Sequence, residues 1–279
     1  MGSNTLIAIK NVVTSPIEEL KSFYEIRNRA NNMGDALENY IKDIFAGTLH
    51  ETNEQNRLIR LKEVFSYTGS RNNPPDMIVR NSDAIEVKKI ESTGAELSFN
   101  SSYPKAKLLV GNTKINEECR TCEDWQEKDI LYAVGVVKGN HLKKLFFVYG
   151  IDYAASIETY ERPLDIISNA VNTIPGKEFS PTNEIARLNR IDPLGITNLR
   201  MREMWIIKNP SKVFSYVYSP RKTDFELTAI INTEKYNSFP SEDRSALENL
   251  NSVEISDVEI KTPDYPEVLK PAKMIRFSR

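Results

Sequence analysis

Asp76, Glu86 and Lys88 are the residues of this sequence whose types and spacing could do chemistry. They lie in Pro75-Asp76-Met77-Ile78-Val79-Arg80-Asn81-Ser82-Asp83-Ala84-Ile85-Glu86-Val87-Lys88, with the two carboxylates ten residues apart. Residues 76–80 and 84–90 read as short strands rich in Ile and Val, joined by a tight hairpin at Asn81-Ser82-Asp83. Alternate residues of a strand share a face, so Ile85, Val87 and Lys89 point one way and Glu86 and Lys88 the other. Asp76 opens the adjacent strand and can therefore sit beside Glu86. Two carboxylates and an ammonium on an otherwise apolar strand pair suit phosphodiester hydrolysis. The carboxylate oxygens can hold a hard cation such as Mg²⁺. Such an ion polarises a phosphate oxygen, lowers the pKa of a bound water and neutralises transition-state charge. Lys88 can orient the attacking water and touch the phosphate. Its carboxylate neighbours favour the charged ammonium, which argues against a simple general-base role in the free protein. A Pro-Asp or a Glu-X-Lys alone would be an ordinary turn or a solvated strand face; the two together across one hairpin form the specific signal.

The elements that must position this hairpin read as a mixture of helices and strands. Ser15-Pro16-Ile17-Glu18 has the residues of a helix start, and helical periodicity continues through Leu20, Phe23, Tyr24 and Ile26. A second helix is expected over 35–45, with Leu37, Tyr40, Ile41, Ile44 and Phe45 as its apolar stripe. Residues 63–67 read as a short strand, and 69–75 as a turn-forming loop. A helical turn is expected at 124–128. Strands are expected at 130–137 and 142–149 around a Gly139-Asn140 hairpin, and further strands at 201–207, 213–218 and 225–231. Helices are expected at 157–171, disturbed by Pro163, and at 241–250. The pattern implies one α/β domain over 1–279 with a central mixed β-sheet flanked by helices.

Composition is that of an ordinary globular chain: 279 residues, 40% hydrophobic and 27% charged. No apolar run reaches the roughly 18 residues that span a bilayer, and no basic-then-apolar start suggests a secretion signal, so a cytoplasmic location is expected. Cys119 and Cys122 are the two cysteines. The count excludes a disulfide framework. A zinc site needs about four ligands, and the chain has only two histidines, His50 and His141, so the cysteines read as free thiols at the start of a helix. The net charge of −2 hides an uneven distribution. Residues 187–222 carry eight basic and two acidic residues, a balance of +6, whereas 241–269 carry the reverse, a balance of −6. Phosphate binding follows the local field rather than the total.

Pro75-Asp76 followed by Glu86-Val87-Lys88 resembles the signature of the PD-(D/E)XK nucleases. The resemblance implies that Asp76, Glu86 and the backbone carbonyl of Val87 bind Mg²⁺. It also implies a restriction-endonuclease-like core. Many members of that superfamily add a Glu from a preceding helix, and Glu38 in Gly34-Asp35-Ala36-Leu37-Glu38 stands where that residue would be, although it could also be a surface helix charge. The strings Asn28-Arg-Ala-Asn-Asn-Met-Gly-Asp-Ala-Leu-Glu38, Asn73-Pro-Pro-Asp76, Asp83-Ala-Ile-Glu-Val-Lys-Lys-Ile-Glu-Ser92, Val148-Tyr-Gly-Ile-Asp-Tyr153 and Asn189-Arg-Ile-Asp-Pro193 are similar to the NgoPII family of type II restriction endonucleases, as are Leu199-Arg-Met-Arg202 and Trp205. This resemblance implies Mg²⁺-dependent cutting of double-stranded DNA at the palindrome GGCC, leaving 5′-phosphate ends. It places a catalytic core at about 30–150 and a DNA-recognition region at about 180–225. A palindrome has a two-fold axis, so a homodimer is expected, with one active site for each strand. A cognate DNA methyltransferase is expected in the same system.

The residues expected at DNA follow from charge and position. In the basic segment these are Arg187, Arg190, Asn198, Arg200 and Arg202. Arginine pairs with O6 and N7 of guanine, so Arg200 or Arg202 is expected to read guanine, and Arg190 to touch phosphate or base. Ser101, Ser102, Lys105 and Lys107 follow the catalytic strand; they read either as a solvated loop or as phosphate contacts that set register. Arg27 and Arg29 are similar candidates from the end of the N-terminal helix. Two other readings keep the same core: a repair or junction-resolving nuclease, and a non-catalytic DNA-binding protein on a nuclease fold. The intact trio argues against the second.

Overall fold

The strand expected to carry Glu86 and Lys88 forms over Ala84–Ile90, paired along its whole length on one edge and at Ala84 and Ile85 on the other. The computed structural model describes residues 2–17, 19–25, 29, 32–69, 73–100, 102–174, 178–179 and 185–279. Among these, the helices are α1 (Thr5–Thr14), α2 (Leu20–Glu25), α3 (Met33–Ala46), α4 (Glu54–Val64), α5 (Glu117–Thr121), α6 (Ile157–Asn172), α7 (Pro210–Val213), α8 (Thr233–Ser238) and α9 (Ser241–Glu248). The strands are β1 (Phe65–Tyr67), β2 (Met77–Val79), β3 (Ala84–Ile90), β4 (Glu96–Asn100), β5 (Lys107–Leu109), β6 (Glu127–Lys138), β7 (His141–Tyr149), β8 (Glu178–Phe179), β9 (Ala186–Asn189), β10 (Leu199–Met201), β11 (Met204–Lys208), β12 (Glu226–Asn232), β13 (Glu254–Lys261) and β14 (Leu269–Ser278).

The main sheet runs β1-β2-β3-β6-β7-β12-β14-β13, with β5 joining the start of β6. It is mixed: β3 with β6 and β7 with β12 are parallel, and the other pairs are antiparallel. Successive side chains of a strand face opposite sides, and here both sides are covered. Ile85, Leu131, Ala133, Phe147 and Leu227 join one core with residues of α1 and α3. Ala84, Ile130, Tyr132, Val134 and Phe146 join a second core with Leu97, Phe99 and Phe214. Glu86 and Lys88 alternate with Ile85 and Val87, which pack on the first core, so the pair faces the second. Helix α3 packs through Ala36, Leu37, Tyr40, Ile41 and Ile44, all fully buried, a spacing that makes one apolar stripe of a helix. The Asn32 side chain caps its start by accepting from the backbone N–H of Gly34 and Asp35.

Several expectations need correction. The Ser15-Pro16 signal ends a helix rather than starting one. Asn4 caps α1, whose buried Leu6, Ile9 and Val12 supply the apolar face, and Ser15 is its C-cap. Among the described residues the expected following helix forms over Leu20–Glu25, again burying Leu20 and Tyr24; Ile26 lies outside them. The strand expected from residue 63 starts at Phe65, because α4 runs to Val64. The helical turn lies at Glu117–Thr121, capped by Asn116, and not at 124–128. Both cysteines are free, but Cys119 sits inside that helix and Cys122 at its end. The segment 213–218 is no strand: α7 leads into a turn whose Phe214 and Tyr218, four residues apart, are both buried. The strand expected at 201–207 splits into β10 and β11, which join different sheets. Strand β11 pairs with β4, with Trp205 opposite Phe99, and so ties the basic segment to the neighbourhood of the catalytic strand. No helix among the described residues is long and apolar enough to cross a membrane.

Candidate active site

The β2–β3 hairpin sets the geometry. Met77 lies opposite Ile85, and the backbone N–H of Asp76 donates to the carbonyl of Ile85 at 3.1 Å. Asp76 is thereby brought back across β3, where its Oδ2 accepts the N–H of Val87 at 2.6 Å. The preceding loop closes tightly on this point. Gly69 has φ +83°, and a Cβ there would stand 2.3 Å from the carbonyl oxygen of Asp76, so no other residue fits without moving the hairpin. Glu86, 6% exposed, accepts from the Lys88 ammonium through Oε1 at 2.7 Å. Its second oxygen, Oε2, is buried with no hydrogen-bond partner among the described residues. The Lys88 Nζ also lies 4.5 Å from the centre of the Phe99 ring. Asp76, Glu86, Lys88, Phe99, Ser102 and Lys105 line one cleft of about 210 Å³.

Electrostatics show a site crowded with negative charge. Burial, and then the charge of Glu86, push the Asp76 carboxyl up from 3.8 to about 8, against the Val87 N–H and Lys88, which pull it down. Burial opposes the Lys88 charge, but the charge and hydrogen bond of Glu86, with Asp76 behind them, outweigh it and raise its pKa. A buried carboxylate oxygen without a partner is costly. Two adjacent carboxylates that cannot comfortably both ionise form a site that a cation would relieve. The donors that line the cleft here are carboxylate oxygens, the hard ligands that suit a small divalent ion. No group of three or more His, Cys, Asp or Glu side chains gathers among the described residues, so water and substrate oxygens would complete such an ion's shell.

The other expected residues fall into different places. Glu38 lies on α3, and its charge adds to the upward push on Asp76, but its Oε1 is held by Lys42 at 2.6 Å. Ser102 and Lys105 line the cleft. Lys107 does not line it and is paired with Glu127 and, at 3.9 Å, with Asp129. Arg29 pairs with Glu54 at 2.7 Å and donates to the carbonyl of Glu51. Arg27 and Ser101 lie outside the described residues. Arg187 and Arg200 stand opposite each other on β9 and β10. In the same hairpin, Asn198 accepts the backbone N–H of Arg190 at 3.2 Å. Arg190, Asn198, Arg200 and Arg202 are exposed, and none of the four lines the cleft. Phe99, Tyr103 and Tyr132 line it without having been singled out from the sequence. Tyr132 falls in the strand expected at 130–137, and the alternation of Leu97 and Phe99 is the signal that could have marked the strand carrying Phe99.

A mixed sheet flanked by helices, with two carboxylates and a lysine on one hairpin, is the arrangement of a restriction-endonuclease-like fold. The chain belongs to the NgoPII restriction endonuclease family, whose model matches residues 3–261. It is 46% identical over 276 residues to the type II restriction enzyme NgoPII of Neisseria gonorrhoeae, covering 98% of this chain and 99% of that one. No solved structure matches it. It is accordingly a type II site-specific deoxyribonuclease that acts on DNA.

Proposed function

We propose that this enzyme is a Mg²⁺-dependent restriction endonuclease of one domain, which hydrolyses double-stranded DNA at the palindrome GGCC and leaves 5′-phosphate ends. The observation that carries the reading is the orphaned, buried Oε2 of Glu86 beside a carboxyl of Asp76 that resists ionisation. Asp76, Glu86 and the Val87 carbonyl would hold the metal. When bound, Mg²⁺ supplies a Lewis acid that acidifies water and offsets charge on the phosphate. Lys88 is pinned by Glu86 and stays an ammonium, so it orients the attacking water and the phosphate rather than taking a proton. Glu38 acts on the site through its field at Asp76.

DNA would be gripped by the arginines of the segment 187–202, with the exposed Arg200 or Arg202 reading guanine and the exposed Arg190 and half-buried Arg187 contacting the duplex. Asn198 fixes the backbone at Arg190. Arg27, Arg29, Ser101, Ser102 and Lys107 are the further contacts proposed from the sequence. A homodimer presents two such sites to a palindrome. An enzyme of this kind, working in the cytoplasm, requires a cognate methyltransferase to protect the host DNA.

The test is digestion of unmethylated phage DNA with purified protein, in Mg²⁺ or in EDTA, followed by sequencing of the ends. Discrete fragments sharing a GGCC end, formed only with Mg²⁺, are expected. Another shared end discards the target, and an absence of cutting discards the nuclease reading of the site. Arg200→Ala or Arg202→Ala is expected to weaken specific binding by about 1–3 kcal/mol if the residue reads guanine. Competition assays against non-specific duplex check this: an equal loss on both would mark a phosphate contact.

A further inference from the structure

Among the described residues, Lys105 is the cation of the cleft that no carboxylate pairs with. It is 4% exposed, yet no Asp or Glu among the described residues lies within ion-pair distance of its Nζ, whereas Lys88 beside it is paired with Glu86. The Lys105 ammonium donates to Ser102 Oγ and, at 3.3 Å, to the carbonyl of Tyr103, and lies 4.9 Å from the centre of the Tyr103 ring. These are neutral partners, and none of them offsets the positive charge. Burial accordingly holds its pKa down to about 8, with Glu86 and Glu203 raising it only in part and Lys114 and Lys88 adding to the depression.

Its position is built, not incidental. Tyr132 on β6 is the register partner of Glu86 on the neighbouring strand. The Tyr132 hydroxyl accepts the backbone N–H of Lys105 at 2.6 Å and donates to its carbonyl at 2.9 Å. The backbone of Lys105 is therefore clamped at both polar groups to the residue alongside Glu86. From the other direction, Gly150 lets this segment lie close. A Cβ there would stand 2.3 Å from the carbonyl oxygen of Lys105 and 2.5 Å from that of Ala106. Holding a long cationic side chain rigid, buried and without a counter-ion costs stability. The cost makes sense where an anion arrives. Asp76 and Glu86, the groups proposed to hold the metal, line the same cleft, so the anion that fits there is the phosphodiester to be cut.

We propose that Lys105 is a second catalytic lysine of this enzyme, whose ammonium binds one non-bridging oxygen of the scissile phosphate and stabilises the charge that builds there as water attacks. This rests on the nuclease reading of the cleft and extends it: Lys105 acts on the scissile phosphate itself, rather than on a distant phosphate that sets register. Pre-arranged charge of this kind is effective because nothing has to reorganise during the reaction.

The test uses the full-length enzyme, a duplex that the wild type cuts, and the variants Lys105→Met, which keeps the apolar stem, and Lys105→Arg, which keeps the charge. Single-turnover cleavage in Mg²⁺ is expected to fall about 10²–10³-fold in Lys105→Met, the loss typical of one removed transition-state donor, and less in Lys105→Arg. Binding of the same duplex in Ca²⁺ is expected to change little. The chemical readout is a single sulfur placed at either non-bridging position of the scissile phosphate. Wild-type enzyme is expected to be slowed by one diastereomer more than Lys105→Met is, because the contact that sulfur disturbs is already gone in the variant. A purely structural lysine would slow both diastereomers in the wild-type ratio, and that result overturns the proposal, as does wild-type speed in Lys105→Met. A matching loss of binding and cleavage returns Lys105 to a register contact and also overturns it. A wild-type enzyme that cuts no duplex overturns the nuclease reading itself, so the two failures are distinct.

Discussion

Asp76→Asn is expected to abolish cleavage while making the metal-free protein more stable. Asparagine keeps the shape and can still accept the Val87 N–H through its Oδ1, but it brings no negative charge to the metal site. Metal-ion stabilisation of a phosphoryl transition state is worth several kcal/mol, and each 1.36 kcal/mol is tenfold in rate. The single-turnover rate should therefore fall by at least about 10³-fold. The stability change has the opposite sign. The folded-state pKa of Asp76, about 8, lies above its ordinary 3.8. A group raised in this way supports folding fully below the lower value and loses that support as pH rises through the higher one. In EDTA the wild type should thus lose stability between about pH 4 and pH 8 through this group, whereas the variant, with nothing to ionise, should not. Solvent reaches Asp76 through the cleft, so the gain at alkaline pH is set on the order of 2 kcal/mol. Thermal melts of both proteins across pH, in EDTA, read it directly. A variant that cuts within tenfold of wild type refutes the metal site, and one less stable at alkaline pH refutes the crowding of charge.

That hairpin was legible in the sequence because everything it needs is local. The Ile/Val alternation of 84–90, the turn residues before it and the ten-residue spacing of the carboxylates determine which side chains meet, and Ala84–Ile90 forms as read. The β6–β7 hairpin was legible for the same reason. What was not legible depends on pairing across long separations. The basic segment reads as one charged run, but β11 leaves it to pair with β4, about a hundred residues earlier. Strands β13 and β14 were not expected at all. The first alternates charged with apolar residues in an acidic stretch, and Pro271 interrupts the second, a residue that counts against a strand in any sequence reading. They form because β14 pairs with β12 along its length. Lys105 is the sharpest case. As a sequence it is one lysine in a polar loop; its burial comes from Tyr132 and Gly150, 27 and 45 positions further on. Lys107 and Arg29 look equally cationic, but they meet Glu127 and Glu54. Charge runs predict a local field, and only the fold decides which members of the run are already neutralised.

Arg57→Ala is expected to be the most destabilising single change away from the site, costing about 3–5 kcal/mol, the usual loss when one partner of a buried ion pair is removed. Asp43 on α3 is fully buried. Its Oδ1 accepts from Arg57 Nε at 2.7 Å and from Thr48 Oγ1 at 2.6 Å, and its Oδ2 from the hydroxyl of Tyr24 at 2.9 Å. One carboxylate thus ties together α2, α3, α4 and the turn after α3. Arg57 also donates to Asn39 and Glu54, both at 3.1 Å. Burial works against the Arg57 charge, but the hydrogen bond and charge of Asp43 overcome it and raise its pKa. Alanine leaves the buried Asp43 side chain with two hydroxyl partners and no cation. Against a total stability of about 5–15 kcal/mol, the loss is a large share. Urea unfolding should show a lower midpoint with an unchanged slope; a cost below about 1 kcal/mol, the range of an exposed pair, would mean the interaction is effectively solvated. Replacing both partners, as Asp43→Leu with Arg57→Met, should recover most of the loss, because an apolar pair has no charge to strand. Cleavage by Arg57→Ala at a temperature where it stays folded should remain near wild type, since none of these residues lines the cleft. A large rate loss there would instead mean that α3 must be held firmly for the field of Glu38 to reach Asp76.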